Sequence, residues 1–167
     1  IAIDNNLTII GTSDVHNLID WDYSFYKGKH RPVTLVLSKD KTEKSIKDAL
    51  FKGRTVVWFK NKLIGLKDNL VPLLKSSLSF KSLGYEAGTF ILKVEIENKS
   101  DSKMMLKNIS KYTFSQNTDS FHVDAHSKKI IEIKTIVKLK QMNLTFKIQN
   151  AYIEPSKNPE VSFLVKI

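Results

Sequence analysis

The second half of the chain repeats one pattern that leaves few folds open. From Leu78 onward, apolar and polar residues alternate with a period of two, and clusters of turn residues interrupt them. Phe90, Leu92, Val94 and Ile96 alternate with Ile91, Lys93, Glu95 and Glu97. That period sends successive side chains to opposite faces, so one face can be buried while the other stays wet. Asn98-Lys99-Ser100-Asp101 then reads as a polar turn. Residues 104–106, 111–114, 121–124, 130–133, 136–139, 144–148 and 161–165 continue the series. No long helical period breaks it. Short strands at this spacing predict an antiparallel β-sandwich, immunoglobulin-like, with a β-meander or a jelly roll as the alternatives. Such domains usually bind, brace or dimerise.

The first half carries mixed periods. Pro32-Val33-Thr34-Leu35-Val36-Leu37 predicts a strand. Asp40 or Thr42 then caps a helix in which Ile46, Ala49 and Leu50 share a face, and Gly53 sits where a C′ residue belongs. Residues 54–59 predict a second strand, with Trp58 on one face and Val57 and Phe59 on the other. Asn61-Lys62 makes a turn into Leu63-Ile64-Gly65. Leu66, Leu70, Leu73 and Leu74 have roughly helical spacing, and Pro72 permits at most one short or kinked helix there. The period changes near residue 77, which divides the chain into an α/β portion at 1–77 and a β-sandwich at 78–167. The expected class is α+β.

Chemistry concentrates in one stretch, Leu7-Thr8-Ile9-Ile10-Gly11-Thr12-Ser13-Asp14-Val15-His16. A short β-branched run ends in a small-residue turn, which predicts a buried strand with Asp14 and His16 just past its end. In α/β folds that position faces the ligand crevice. If the backbone stays extended, the two side chains share a face, and a carboxylate beside an imidazole suits a divalent metal such as zinc, manganese or iron. His30-Arg31 follows across one loop. Arg31 offers a planar fork matched to phosphate oxygens, and His30 could protonate a leaving group or ligate metal. The plainer alternative pairs Arg31 with a local carboxylate and leaves His30 exposed. Trp21, Tyr23 and Tyr26 either wall a pocket or form a small satellite core, and Asp20 and Asp22 read more simply as surface carboxylates than as ligands. Arg54 follows a helix stop and reads as a structural pair.

Gly11-Thr12-Ser13-Asp14-Val15-His16, preceded by Asn6-Leu7-Thr8-Ile9, resembles the last metal-binding motif of the PHP (polymerase and histidinol phosphatase) superfamily. His30-Arg31-Pro32-Val33-Thr34-Leu35-Val36 and Gly53-Arg54-Thr55-Val56-Val57-Trp58-Phe59-Lys60-Asn61 resemble its bacterial phosphoesterases with an appended C-terminal β domain. The similarity covers roughly the first half of the chain. It implies the C-terminal end of a distorted (β/α) barrel, several divalent metal ions at the strand ends, and water-mediated hydrolysis of phosphate mono- or diesters. Ligand roles pass to Asp14 and His16 alone. The superfamily's earlier motifs, an H-x-H and further His and Glu residues, have no counterpart here. The resemblance therefore implies the C-terminal fragment of a longer protein, inactive by itself, whose partners are a phosphate ester and the missing N-terminal part. The rival expectation is a noncatalytic binding or assembly module built on the sandwich.

Composition narrows the remaining classes. The chain of 167 residues has a formal net charge of +10, 41% hydrophobic residues and no Cys. Disulfides and thiolate metal sites are excluded, while the compartment stays open. No stretch is long and apolar enough to span a bilayer. The lysines are spread along the chain and alternate with apolar residues, as in Lys138-Leu139-Lys140, which describes a solvated sheet face rather than the dense basic patch of a nucleic-acid surface. His122, Asp124 and His126 share a strand face by period two and could chelate a metal, but Ser120, Ser127 and Lys128 beside them argue for a solvated edge. Asn-x-Ser/Thr occurs at Asn6, Asn98, Asn108 and Asn143, as expected by chance in an Asn- and Ser-rich chain.

Overall fold

The structure is a computed structural model that describes residues 2, 5, 7–23, 30–116 and 118–167. Tyr26 and Asn6, named above, lie outside the described residues. Among the described residues the protein is mostly β, with three four-stranded sheets and few helices. It divides into two compact units, Ile1–Leu70 with Ala151–Lys157 and Val71–Asn150 with Asn158–Ile167.

In the first unit a one-turn helix α1 (Ile19–Asp22) precedes strand β1 (Val33–Val36) and helix α2 (Glu43–Phe51). Thr42 is the N-cap of α2: its hydroxyl accepts from Ser45 N at 3.3 Å and donates to Asp40 Oδ1 at 2.6 Å. Gly53 closes the helix at φ +64°, where a side chain would be strained. Strands β2 (Thr55–Phe59) and β3 (Lys62–Gly65) form a hairpin through Lys60 and Asn61, both with positive φ, as a two-residue turn of matching twist requires. The helix α3 (Lys67–Ser77) begins in this unit, continues past Leu70 into the second, and accommodates Pro72 within its 11 residues.

The first sheet has the order β1-β2-β3-β11, where β11 (Ala151–Tyr152) is contributed from late in the chain. β1 and β2 pair antiparallel, Thr34 opposite Val57, while β11 runs parallel to β3. The expected end of a (β/α) barrel is corrected here: among the described residues no barrel forms. A parallel barrel needs parallel neighbours, and the strand–helix–strand unit instead folds back antiparallel. Register places Thr34, Thr55 and Val57 on one face and Val33, Trp58 and Leu63 on the other.

The second unit packs two sheets. The strands β4 (Leu78–Tyr85), β5 (Ile91–Asn98), β9 (Lys128–Lys134) and β7 (Thr113–Phe114) lie in the order β4-β5-β9-β7. The facing sheet has the order β12-β10-β6-β8, from β6 (Met104–Asn108), β8 (Ser120–Val123), β10 (Gln141–Ile148) and β12 (Glu160–Lys166). Chain-adjacent strands repeatedly change sheets, as in an immunoglobulin-like sandwich. Leu92, Val94 and Ile96 of one sheet and Leu144, Phe146 and Ile148 of the other are fully buried, as the period of two requires. An aromatic chain fills the centre: Phe80 lies 4.3 Å from Phe163 and 5.6 Å from Phe146, and Phe121 meets both Phe146 and Phe114 edge-on at 5.9 Å.

One expected strand is absent. Residues 136–139 form a bend, with Ile136 93% exposed. Thr135 N and Oγ1 both donate to Phe90 O at 2.9 Å, and Leu139 N donates to Tyr85 Oη at 2.9 Å. Those bonds hold the chain in the turn from β9 to β10, where the alternation of Ile136, Val137, Lys138 and Leu139 has no ladder to join.

Candidate functional site

Residues 7–10 depart from expectation as well. They form no strand; threonine hydroxyls hold the segment across the Thr34 and Val57 face of the first sheet. Thr8 Oγ1 donates to Leu50 O at 3.0 Å, and Thr55 Oγ1 donates to Ile9 O at 2.7 Å. Gly11 N donates to Thr34 Oγ1 at 3.0 Å, and that hydroxyl donates back to Gly11 O at 3.2 Å. The approach is close: a Cβ on Gly11 would lie 2.6 Å from Val57 Cγ1. The β-branched run is real, but without a laddered neighbour it cannot be a strand.

From Gly11 the chain continues to Asp14, whose φ of +50° is left-handed, a conformation that Asp tolerates better than most residues. The turn breaks the plain alternation that would have set Asp14 and His16 on one strand face. Both residues are exposed, and neither side chain makes a hydrogen bond or ion pair among the described residues. Their oxygen and imidazole nitrogen are chemically suited to a divalent cation, but no group of three or more potential ligands occurs among the described residues. Two donors fit one flank of a metal site and do not complete it.

Arg31 stands across a concavity from this segment. The hollow, of about 380 Å³, is lined by Gly11, Thr12, Ser13, Arg31, Pro32, Val33 and Thr34. Arg31 is exposed and makes no ion pair among the described residues, so its guanidinium is not committed to a local carboxylate. His30 is half-buried against Trp58, ring centroids 4.0 Å apart, with Phe59 edge-on at 6.4 Å. Its Nδ1 lies 2.7 Å from Arg31 O. A carbonyl oxygen can only accept, so Nδ1 carries the proton and Nε2 is left as the second functional nitrogen.

The remaining candidates separate. Tyr23 packs edge-on against Phe59 at 6.2 Å, while Trp21 is 74% exposed, and Asp20 and Asp22 are exposed on α1. Arg54 Nη2 bonds Asp48 Oδ2 at 2.6 Å, the structural pairing read from the sequence. Lys52 first, and then Arg54, hold the Asp48 carboxyl below the usual carboxylate range. In the sandwich, β8 ends at Val123 and His126 turns at φ +49°, so His122, Asp124 and His126 do not share a strand face. His126 Nε2 meets Asp101 Oδ1 at 2.6 Å, and Asp124 pairs with Lys103 at 2.9 Å, which lowers the Asp124 pKa. Sequence reasoning treated Thr34 as an ordinary strand residue. Its polar side chain on a strand facing an unladdered segment is the signal that could have marked it.

No curated protein matches the chain. A solved structure from Bacteroides vulgatus ATCC 8482, described as a two-domain protein containing a predicted PHP-like metal-dependent phosphoesterase, is similar over 99% of this chain at 27% identity and a TM-score of 0.84. The match covers 47% of that protein, so the chain spans about half its length. Residues 78–164, which hold most of the two-sheet sandwich and also β11 of the first sheet, match the family model DUF5001, described as an Ig-like domain. The chain belongs to that Ig-like domain family.

Proposed function

We propose that this chain is the C-terminal part of a PHP-type metal-dependent phosphoesterase. The barrel then belongs to an N-terminal part of the same protein, and the unit Ile1–Leu70 brings one flank of the active site to it. The observation that carries the reading is the concavity shared by Arg31 and residues 11–13, which opens three residues before Asp14. The likeness to a protein containing a predicted PHP-like phosphoesterase supports it. Asp14 and His16 would hold a divalent cation, zinc, manganese or iron, on this flank. Such a cation supplies a Lewis acid and lowers the pKa of water. Arg31 binds two phosphoryl oxygens through its fork and balances their charge. His30 packs on Trp58, on the sheet face opposite Thr34, and does not line the concavity; in its imidazolium form it would donate its Nε2 proton to the leaving oxygen while Nδ1–H stays on Arg31 O.

A generic aryl phosphate ester with Mn or Zn tests this reading. The 167-residue chain should turn over negligibly. The longer protein should be active, lose more than about a hundredfold with Asp14→Ala or His16→Ala, and lose roughly ten- to hundredfold in kcat/KM with Arg31→Gln. Robust turnover by the 167-residue chain contradicts it. A second reading, a noncatalytic binding or assembly module, is favoured by the Ig-like family match. Under it those substitutions change neither metal content nor activity.

A further inference from the structure

We propose that Thr34 is the positioning residue of this site, its single hydroxyl setting where the Asp14 and His16 motif stands relative to Arg31. The inference rests on the phosphoryl-binding reading above. Thr34 Oγ1 serves both polar groups of one residue: it accepts from Gly11 N at 3.0 Å and donates to Gly11 O at 3.2 Å. Gly11 lies outside any ladder, so no strand partner would replace those bonds. Threonine is stiff at χ1, so a hydroxyl on β1 is a fixed point rather than a mobile contact. The spacing matters as much as the bonds. Asp14 lies three residues after Gly11, Arg31 lies three residues before Thr34, and the concavity lies between the two arms. Thr8 and Thr55 tie the same segment to the unit but do not line the concavity. Thr34 alone among the three joins the anchor to the hollow.

The test compares the full chain with Thr34→Val, which keeps the shape and removes both hydrogen bonds, with Thr34→Ser, which keeps the hydroxyl, and with Arg31→Gln. Hydrogen exchange of the Gly11 amide reports the anchor, and NMR titration with inorganic phosphate reports the site. In Thr34→Val, Gly11 should exchange about tenfold faster and phosphate affinity should fall about tenfold. Thr34→Ser should stay within about twofold of wild type on both. An unchanged Gly11 exchange rate in Thr34→Val overturns the anchor. Faster exchange with unchanged phosphate affinity overturns the positioning role and leaves a structural one. Wild-type phosphate binding that survives Arg31→Gln overturns the site reading and the positioning role together, while Gly11 exchange still reports the hydrogen bonds.

Discussion

Gly11 is constrained by distance rather than by backbone dihedral. Val57 is buried and β-branched, so it has little freedom to move from a Cβ placed 2.6 Å from its Cγ1. Gly11→Ala should cost about 1–3 kcal/mol in urea unfolding, as overpacking does, and the double variant with Val57→Ala should cost less than the sum. An unchanged midpoint would contradict the packing. Asn98 and Asn108 are the comparable residues of the sandwich. Asn98 Nδ2 donates to Ser102 O, Val123 O and Asp124 O, and its Oδ1 accepts from Ser100 N and Oγ. Asn108 repeats the arrangement with Ser110 N and Oγ. In both, Asn-x-Ser is the sequence of a buried side-chain turn, and the amide nitrogen is already engaged.

At the scale of elements, α2 shows how a local signal becomes a stability term. The Asp40 carboxyl is held below the usual carboxylate range, first by the Thr42 hydroxyl and then by the Thr42 amide. A lowered carboxylate pKa contributes stability above the unfolded-state pKa, and that contribution is lost as pH falls through the lower folded value. Thr42→Ala should therefore destabilise the protein more at pH 7 than at pH 3, where the wild type has also lost part of the cap network. Equal penalties at both pH values in chemical unfolding would contradict the coupling. The elements β1, α2 and β2 were legible because their signals are local: a cap, a helical face and a C′ glycine. Residues 7–10 and 136–139 were misread because strand formation needs a neighbour that composition does not name. β11 gave no signal, since its two residues are a strand only by pairing with Leu63 and Ile64, far earlier in the chain.

At the scale of the molecule, the candidate site residues fall in one unit. Asp14, His16, His30 and Arg31 all belong to the unit of Ile1–Leu70, while the Ig-like match lies within 78–164. The sandwich was legible because burial alternates along β5, β6, β10 and β12 as their sequences do. The candidate site could be named only as a set of residue types; the left-handed turn at Asp14 and the Thr34 hydrogen bonds were not legible, because both depend on how an unladdered segment crosses a sheet. No helix among the described residues is long and apolar enough to cross a membrane. The central claim is that Asp14 and His16 form one flank of a cation site beside Arg31. Titrating the ¹⁵N-labelled chain with Mn²⁺ reads this residue by residue. Paramagnetic broadening should appear first at Asp14 and His16 and next across residues 11–13 and 31. Broadening that begins instead at Asp101, Asp124 and His126, or that follows exposed carboxylates indiscriminately, would contradict the claim.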